Sequence, residues 1–134
     1  MNVLITGGNG FLGSNLTKKF LEHGHSVIVI DIKKNKFSLK NSKAKFVKCD
    51  LTNFMSLNKI KINKKIDVIL HCAGQPSAAL SFVDPERDLK LNIQATLNIL
   101  RYAGKIKVKK FIFASTFNVY EENNLLAKLK ETSP

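Results

Sequence analysis

The chain has 134 residues, 44% of them hydrophobic, and a formal net charge of +12, which is enough apolar material for one packed domain and too much for a disordered tail. No apolar run approaches the roughly 18 residues of a membrane span, and the start Met1-Asn2-Val3-Leu4-Ile5-Thr6-Gly7 lacks the basic opening and long apolar middle of a signal peptide, so a cytoplasmic protein is expected. The charge comes from lysines scattered over predicted loops and helix faces, with no tryptophan and only Arg87 and Arg101 as arginines, a pattern of A/T-rich coding bias that argues against a nucleic-acid surface.

A short apolar run, Val3-Leu4-Ile5, predicts a first strand over 2–6. It enters Thr6-Gly7-Gly8-Asn9-Gly10-Phe11-Leu12-Gly13, which holds four of the chain's seven glycines. Gly8, Gly10 and Gly13 fit GxGxxG, and Gly7, Gly10 and Gly13 fit the related GxxGxxG. A strand, a glycine-rich turn and a helix start together form a phosphate site, because free N–H groups and the helix dipole attract an anion that no Cβ obstructs. A helix is expected from Gly10 to His23, with Leu12, Leu16 and Phe20 on its inner face and Gly24 as its stop.

Val27-Ile28-Val29-Ile30 reads as a strand over 26–31 buried on both faces. It ends at Asp31, 18 residues after Gly13. A carboxylate at about this distance accepts hydrogen bonds from an adenosine ribose and repels a 2'-phosphate, favouring NAD over NADP. Lys33 and Lys34 soften that repulsion. The Lys-, Asn- and Ser-rich stretch 32–43 predicts a solvated, mobile connector. A third strand over 45–49 runs into Asp50-Leu51-Thr52, where Asp50 either meets an adenine edge or caps the segment after Asn53.

The fourth strand, 66–71, ends in His71 and opens into Cys72-Ala73-Gly74-Gln75-Pro76-Ser77, small enough to let a ligand pass close to backbone. A histidine closing an apolar strand is expected to be a hydrogen-bonded wall residue rather than a catalytic base. Cys49 and Cys72 fit no metal or redox spacing and read as buried reduced thiols. A helix from Asp84 to Ala103, opened by Pro85 and stopped at Gly104, carries two apolar stripes. Leu91, Ala95, Ile99 and Tyr102 form one, and Leu89, Ile93, Leu97 and Leu100 the other. One must cover the sheet; the other calls for a neighbouring helix or a second subunit. A fifth strand over 109–115 completes an α/β, Rossmann-type doubly wound parallel sheet of about five strands.

The stretches TGGNGFLG (6–13), Asp31, Asp50-Leu51, His71-Cys-Ala-Gly74, Asn92-Ile-Gln-Ala-Thr96 and Phe111-Ile-Phe-Ala-Ser115-Thr116-Phe-Asn-Val-Tyr120 resemble, in order and spacing, the extended short-chain dehydrogenase/reductases, among them NAD-dependent nucleotide-sugar epimerases and dehydratases. The resemblance implies that Gly7, Gly10, Phe11, Leu12 and Gly13 bind the pyrophosphate side of NAD, Asp31 the adenosine ribose, and Asp50 with Leu51 the adenine. It places Ala73 and Gly74 along the cofactor, Gln75 and Ser115 on the substrate side, and Thr116 as the catalytic hydroxyl; no metal is implied. Read from the residues alone, Ser115 and Thr116 at a strand end are equally simple turn formers.

Ala95 stands where that family usually has glycine, and Glu121 where glycine follows Val-Tyr. The family's Tyr-x-x-x-Lys pair is absent: Ile106 lies four residues after Tyr102, and Asn124 four after Tyr120. The tyrosinate of that pair is the general base, and a lysine one turn away lowers its pKa. Residues 1–134 therefore resemble an NAD(P)-binding Rossmann domain incomplete on its C-terminal side, with no separate substrate domain and negligible turnover alone. The expected partners are a nucleotide sugar if the domain is completed, and a homodimer or complementing chain through the 84–103 helix. A split-enzyme half and a non-catalytic dinucleotide sensor are the alternatives.

Overall fold

In a computed structural model, residues 1–33 and 43–116 are described. Five parallel strands, β1 (Asn2–Thr6), β2 (Ser26–Asp31), β3 (Ala44–Lys48), β4 (Val68–His71) and β5 (Lys110–Phe113), form one sheet in the order β3-β2-β1-β4-β5. Strand order reverses between β1 and β4, the place where doubly wound sheets open a crevice at the strands' carboxyl ends. Each predicted strand is present. The third starts one residue earlier than expected, the fourth begins at Val68 rather than 66, and the fifth is confined to Lys110–Phe113. The connector's expected mobility falls largely on 34–42, outside the described residues.

Alternation along β1 divides the core into two layers. Leu4 joins Ile30, Leu57, Ile69, Ile99 and Tyr102 on one face of the sheet, while Val3 and Ile5 join Val27, Val29, Val68 and Leu70 on the other. Helices on both faces explain why β2 and β4 read as continuous apolar runs.

The first helix, α1 (Phe11–Glu22), buries Gly13 and Thr17 and packs Leu16, Phe20 and Leu21 on the sheet. The inner face expected from Leu12, Leu16 and Phe20 is rotated: Leu12 remains 48% exposed. The cause is Gly13, where a Cβ would lie 2.3 Å from the Gly7 carbonyl oxygen, so Gly13 itself must face inward. At the other end Gly24, at φ +77, donates to Leu21 O, and His25 donates to Phe20 O, the paired bonds of a Schellman stop. The Phe20 and His25 rings meet at 5.6 Å.

A short α2 (Phe54–Asn58) is capped by Asn53, whose side chain accepts from Ser56 N–H. Asp50 is not that cap; its carboxylate closes a turn on the Thr52 N–H and hydroxyl, at 2.9 and 2.8 Å. The helix expected over 84–103 is present, with unbroken helical backbone from Pro85 through Lys90 and Gln94 to Lys105; a short helix that was not expected precedes it. α3 (Ala78–Val83) ends at Asp84, which caps α4 (Pro85–Leu89) by accepting from Arg87 N–H. One π-helical turn (Lys90–Gln94) follows, then α5 (Ala95–Lys105).

Ala95, Ile99 and Tyr102 are buried on the sheet, whereas Leu89, Ile93, Leu97 and Leu100 are about half exposed, so the two stripes divide as predicted except at Leu91, which is half-buried and borders the crevice at the strands' carboxyl ends. Gly104 does not stop the helix. Lys107 takes the left-handed conformation at φ 52, Lys107 donates to Gly104 O, and Val108 to Ala103 O. This is a second Schellman stop, three residues later and with lysine at the position glycine favours. Among the described residues no helix is long and apolar enough to cross a membrane.

Candidate cofactor site

The glycine loop joins β1 to α1 at the point where strand order reverses. Gly7 sits at φ +67, where a Cβ would come within 2.7 Å of the Ala73 backbone, and a Cβ on Gly8 would meet Val29 Cγ1 at 2.3 Å. The loop is thus pressed against β2 on one side and the loop after β4 on the other, and only glycine permits both contacts. Gly10 is the N-cap of α1 and offers no side-chain cap; the first turn contains no acidic residue. The unsatisfied N–H groups of that turn and the positive end of the helix dipole are left to an incoming anion.

Beside the loop, Asp31 closes β2. Its carboxylate accepts from Asn9 N–H at 2.9 Å through one oxygen and from Lys33 N–H at 3.0 Å through the other, and the Asn9 side chain donates to Lys33 O at 2.7 Å. These bonds fix the carboxylate's direction and leave each oxygen a lone pair for a further donor. Asn9, in the variable position of the glycine motif, is a site residue that spacing did not reveal. Its signal was the short amide flanked by glycines, a residue type that bonds neighbouring backbone.

A cleft of about 410 Å³ runs from this corner across the ends of the strands. Gly7, Gly10, Asp31, Asp50, Leu51, Ala73, Gly74 and Gln75 line it, together with the unpredicted Asn9 and Leu80. Phe11, Leu12 and Gly13 are not among its lining residues; Phe11 is 90% exposed, and Gly13 packs the loop. Ser115 and Thr116, just past β5, are exposed and also lie outside the lining. From α5, the buried Asn98 donates to Leu51 O at 2.7 Å and Thr52 O at 3.0 Å. That bond holds the Asp50-Leu51 wall in place, a role invisible in a helical stripe pattern.

His71 is a wall residue. It is 1% exposed, with Nδ1 2.6 Å from Thr6 Oγ1 and Nε2 3.0 Å from Thr96 Oγ1. The Thr96 hydroxyl donates to Asn92 O at 2.5 Å, so it accepts from His71 Nε2–H. Nδ1 is then the bare nitrogen and accepts from Thr6, whose oxygen in turn receives Ala73 N–H at 3.4 Å. Burial pushes the imidazole down to about 4, and with both nitrogens engaged it has no capacity to take a substrate proton.

Cys49 is a buried free thiol, as expected, whereas the free thiol of Cys72 is half-buried and borders the cleft; burial raises both above the ordinary thiol value. Among the described residues no cluster of His, Cys, Asp and Glu could hold a metal.

The bare helix start, the cradle that a Cβ would fill and the oriented carboxylate fit a dinucleotide: an anionic centre flanked by a ribose. A family model described as the NAD dependent epimerase/dehydratase family matches residues 3–134. A putative UDP-glucose 4-epimerase of Methanocaldococcus jannaschii is 36% identical over 127 residues, 92% of this chain and 41% of that protein. A UDP-glucose 4-epimerase of Klebsiella pneumoniae is 30% identical over 134 residues, 90% of this chain and 92% of the relative. The crystal structure of a Thermus thermophilus UDP-glucose 4-epimerase in complex with NAD superposes with a TM-score of 0.86 at 31% identity, covering 100% of this chain and 44% of that one. The chain thus spans about two fifths of the length of the Methanocaldococcus and Thermus proteins.

Proposed function

The chain belongs to the NAD-dependent epimerase/dehydratase family, and on that premise we propose that residues 1–134 form the NAD-binding part of an enzyme acting on a nucleotide sugar. The observation that carries this reading is the Asp31 carboxylate, held by Asn9 and Lys33 N–H groups in the same cleft as the bare start of α1. The pyrophosphate rests at Gly7, Gly10 and the first turn of α1, including the Phe11, Leu12 and Gly13 backbone. Asp31 accepts from the adenosine ribose hydroxyls and repels a 2'-phosphate, which selects NAD over NADP. Asp50 and Leu51 flank the adenine, and Ala73 and Gly74 line the remaining length.

Bound NAD would supply the hydride acceptor for a sugar hydroxyl carbon. This chain's residues bind and orient. Thr116 and Ser115 orient the sugar hydroxyl and Gln75 borders its side of the cleft, but a hydroxyl cannot remove the proton that must leave with the hydride. His71 is committed at both nitrogens, and the 134 residues contain no Tyr-x-x-x-Lys. The 134-residue polypeptide therefore binds NAD without turning over.

The half-exposed stripe of Leu89, Ile93, Leu97 and Leu100 favours one extension of this reading: a second copy or a complementing chain docks on that helix. The purified 134-residue chain should bind NAD in a calorimetric titration yet leave UDP-glucose or another sugar nucleotide unconverted, with neither an epimer nor a dehydrated sugar among the products and no NADH formed. Conversion of the sugar nucleotide or NADH formation by this polypeptide alone would overturn the absence of turnover, and absence of NAD binding by folded protein would overturn the reading itself.

A further inference from the structure

Beyond the cofactor cradle, the segment that lines the far half of the cleft is tied to a single carboxylate oxygen. Asp88 Oδ1 in α4 receives Gln75 Nε2 at 2.9 Å, Ser81 Oγ at 2.8 Å and Asn92 Nδ2 at 3.0 Å. Three donors from the β4–α3 loop, α3 and the π-helical turn thus converge on one atom. Asn92 in turn grips Gln75 by its backbone: Gln75 N–H donates to Asn92 Oδ1 at 2.7 Å, and Asn92 Nδ2 donates to Gln75 O at 3.1 Å. The Gln75 side chain closes the arrangement by accepting from Ser77 N–H and reaching Ser77 O at 3.0 Å.

This pattern fixes which way each amide points. Asn92 must present its NH2 to the carboxylate, because turned over it would set oxygen against oxygen; with the NH2 so placed, its carbonyl faces Gln75 N–H. Gln75 is subject to the same restriction. Gly74, immediately before this clamp, passes so close to Asn92 that a Cβ would lie 3.1 Å from Oδ1. Ala73 is held from β1 through Thr6, and the Gln75 end of the 73–75 backbone is set from α4, by a residue that is absent from the cleft's own lining.

We infer that Asp88 is a positioning residue for the dinucleotide, acting through Asn92 and Gln75 to hold the Gln75 end of the 73–75 backbone at the height that the half of the ligand beyond the pyrophosphate requires. The inference rests on the NAD-binding reading of the same cleft. Asp88 touches no ligand, so its removal should act on one end of the dinucleotide only. The Asp31 and Asp50 end lies on β2 and the loop after β3, outside the Asp88 network. A carboxylate is also not essential in itself: an amide oxygen in the same place keeps two lone pairs directed at the same cluster of donors.

The test is a calorimetric titration of the 134-residue chain and its Asp88→Ala and Asp88→Asn variants with NAD and, separately, with AMP. Asp88→Ala should weaken NAD about tenfold and leave AMP within about twofold, while Asp88→Asn should restore NAD to within about threefold of the parent. Equal loss of NAD and AMP, or no loss of NAD, would overturn the positioning role while leaving the cofactor reading intact. Failure of the parent chain to bind NAD strikes the cofactor reading instead and removes the ground for this one. If Asp88→Ala yields no folded protein, Gln75→Met removes the amide that reaches the carboxylate and should weaken NAD about fivefold with AMP unchanged; unchanged NAD affinity in that variant overturns the inference.

Discussion

Two glycines with the same backbone conformation should respond very differently to one added methyl group. Gly7 and Gly24 both occupy the left-handed region, at φ +67 and +77, where an L-residue costs roughly 1–2 kcal/mol. Both gain the same partial offset from a stiffer unfolded chain. Their surroundings differ. Among the described residues, an alanine Cβ at Gly24 would find only Lys43 Nζ, 3.9 Å away, whereas at Gly7 it would lie 2.7 Å from both N and Cα of Ala73 and 2.8 Å from the Cys72 carbonyl carbon.

Those atoms are backbone of the β4 exit and cannot swing aside as a side chain would. Overpacking of this kind adds about 1–3 kcal/mol, and that increment is the difference between the variants, since the conformational terms cancel. Urea unfolding should therefore place Gly7→Ala about 1–3 kcal/mol below Gly24→Ala, a large part of a net stability of about 5–15 kcal/mol. NAD affinity should fall in Gly7→Ala alone, because relief of the clash moves the glycine loop away from Ala73. Equal stability and equal NAD affinity in the two variants would refute the claim that the loop is wedged against the β4 exit.

Lys107 occupies the left-handed position of a helix stop, so Lys107→Gly should raise stability by about 1 kcal/mol in the same unfolding assay. His71 stays neutral in the fold until about pH 4, against an ordinary 6.5. Between those values the unfolded chain binds the extra proton, so stability should fall as pH drops through that window, by about 3 kcal/mol in total. In His71→Gln that His-dependent component should vanish from the difference between unfolding curves at pH 7 and pH 5. Ile93→Lys changes a half-exposed position and should shift stability by no more than about 0.5 kcal/mol. If the chain self-associates through this helix, light scattering should show the variant as a monomer.

Most of the framework was legible because its signals are local. An apolar run buried on both faces can only be a central strand, and a cluster of glycines after such a strand leaves few alternatives to a close-approach loop. Asp31 was legible by distance from that loop, which the βαβ geometry makes nearly constant. What escaped depended on contacts between distant segments. The inward rotation of α1 is set by the approach of Gly13 to the Gly7 carbonyl, and no count of apolar residues reveals it. Gly104 looked like a helix stop, yet Val108 packs with the core around Ala103, which carries the turn on to Lys107. The short α3 before the 84–103 helix, and the π-helical turn inside it whose Asn92 serves the loop after β4, leave no mark in the apolar stripes. Asn98 and Asn9 act by bonding backbone far away in sequence and Asp88 by gathering side chains from three elements, so their roles appear only once the fold has brought those segments together.

The most direct measurement of the central claim is a parallel titration of the 134-residue chain and its Asp31→Asn variant with NAD and NADP. The parent should prefer NAD. The substitution should weaken NAD about 10- to 100-fold, the worth of hydrogen bonds to a charged acceptor, and narrow the gap to NADP as the repelling charge is lost. Equal binding of NAD and NADP by the parent, or an NAD affinity indifferent to Asp31→Asn, would contradict that claim.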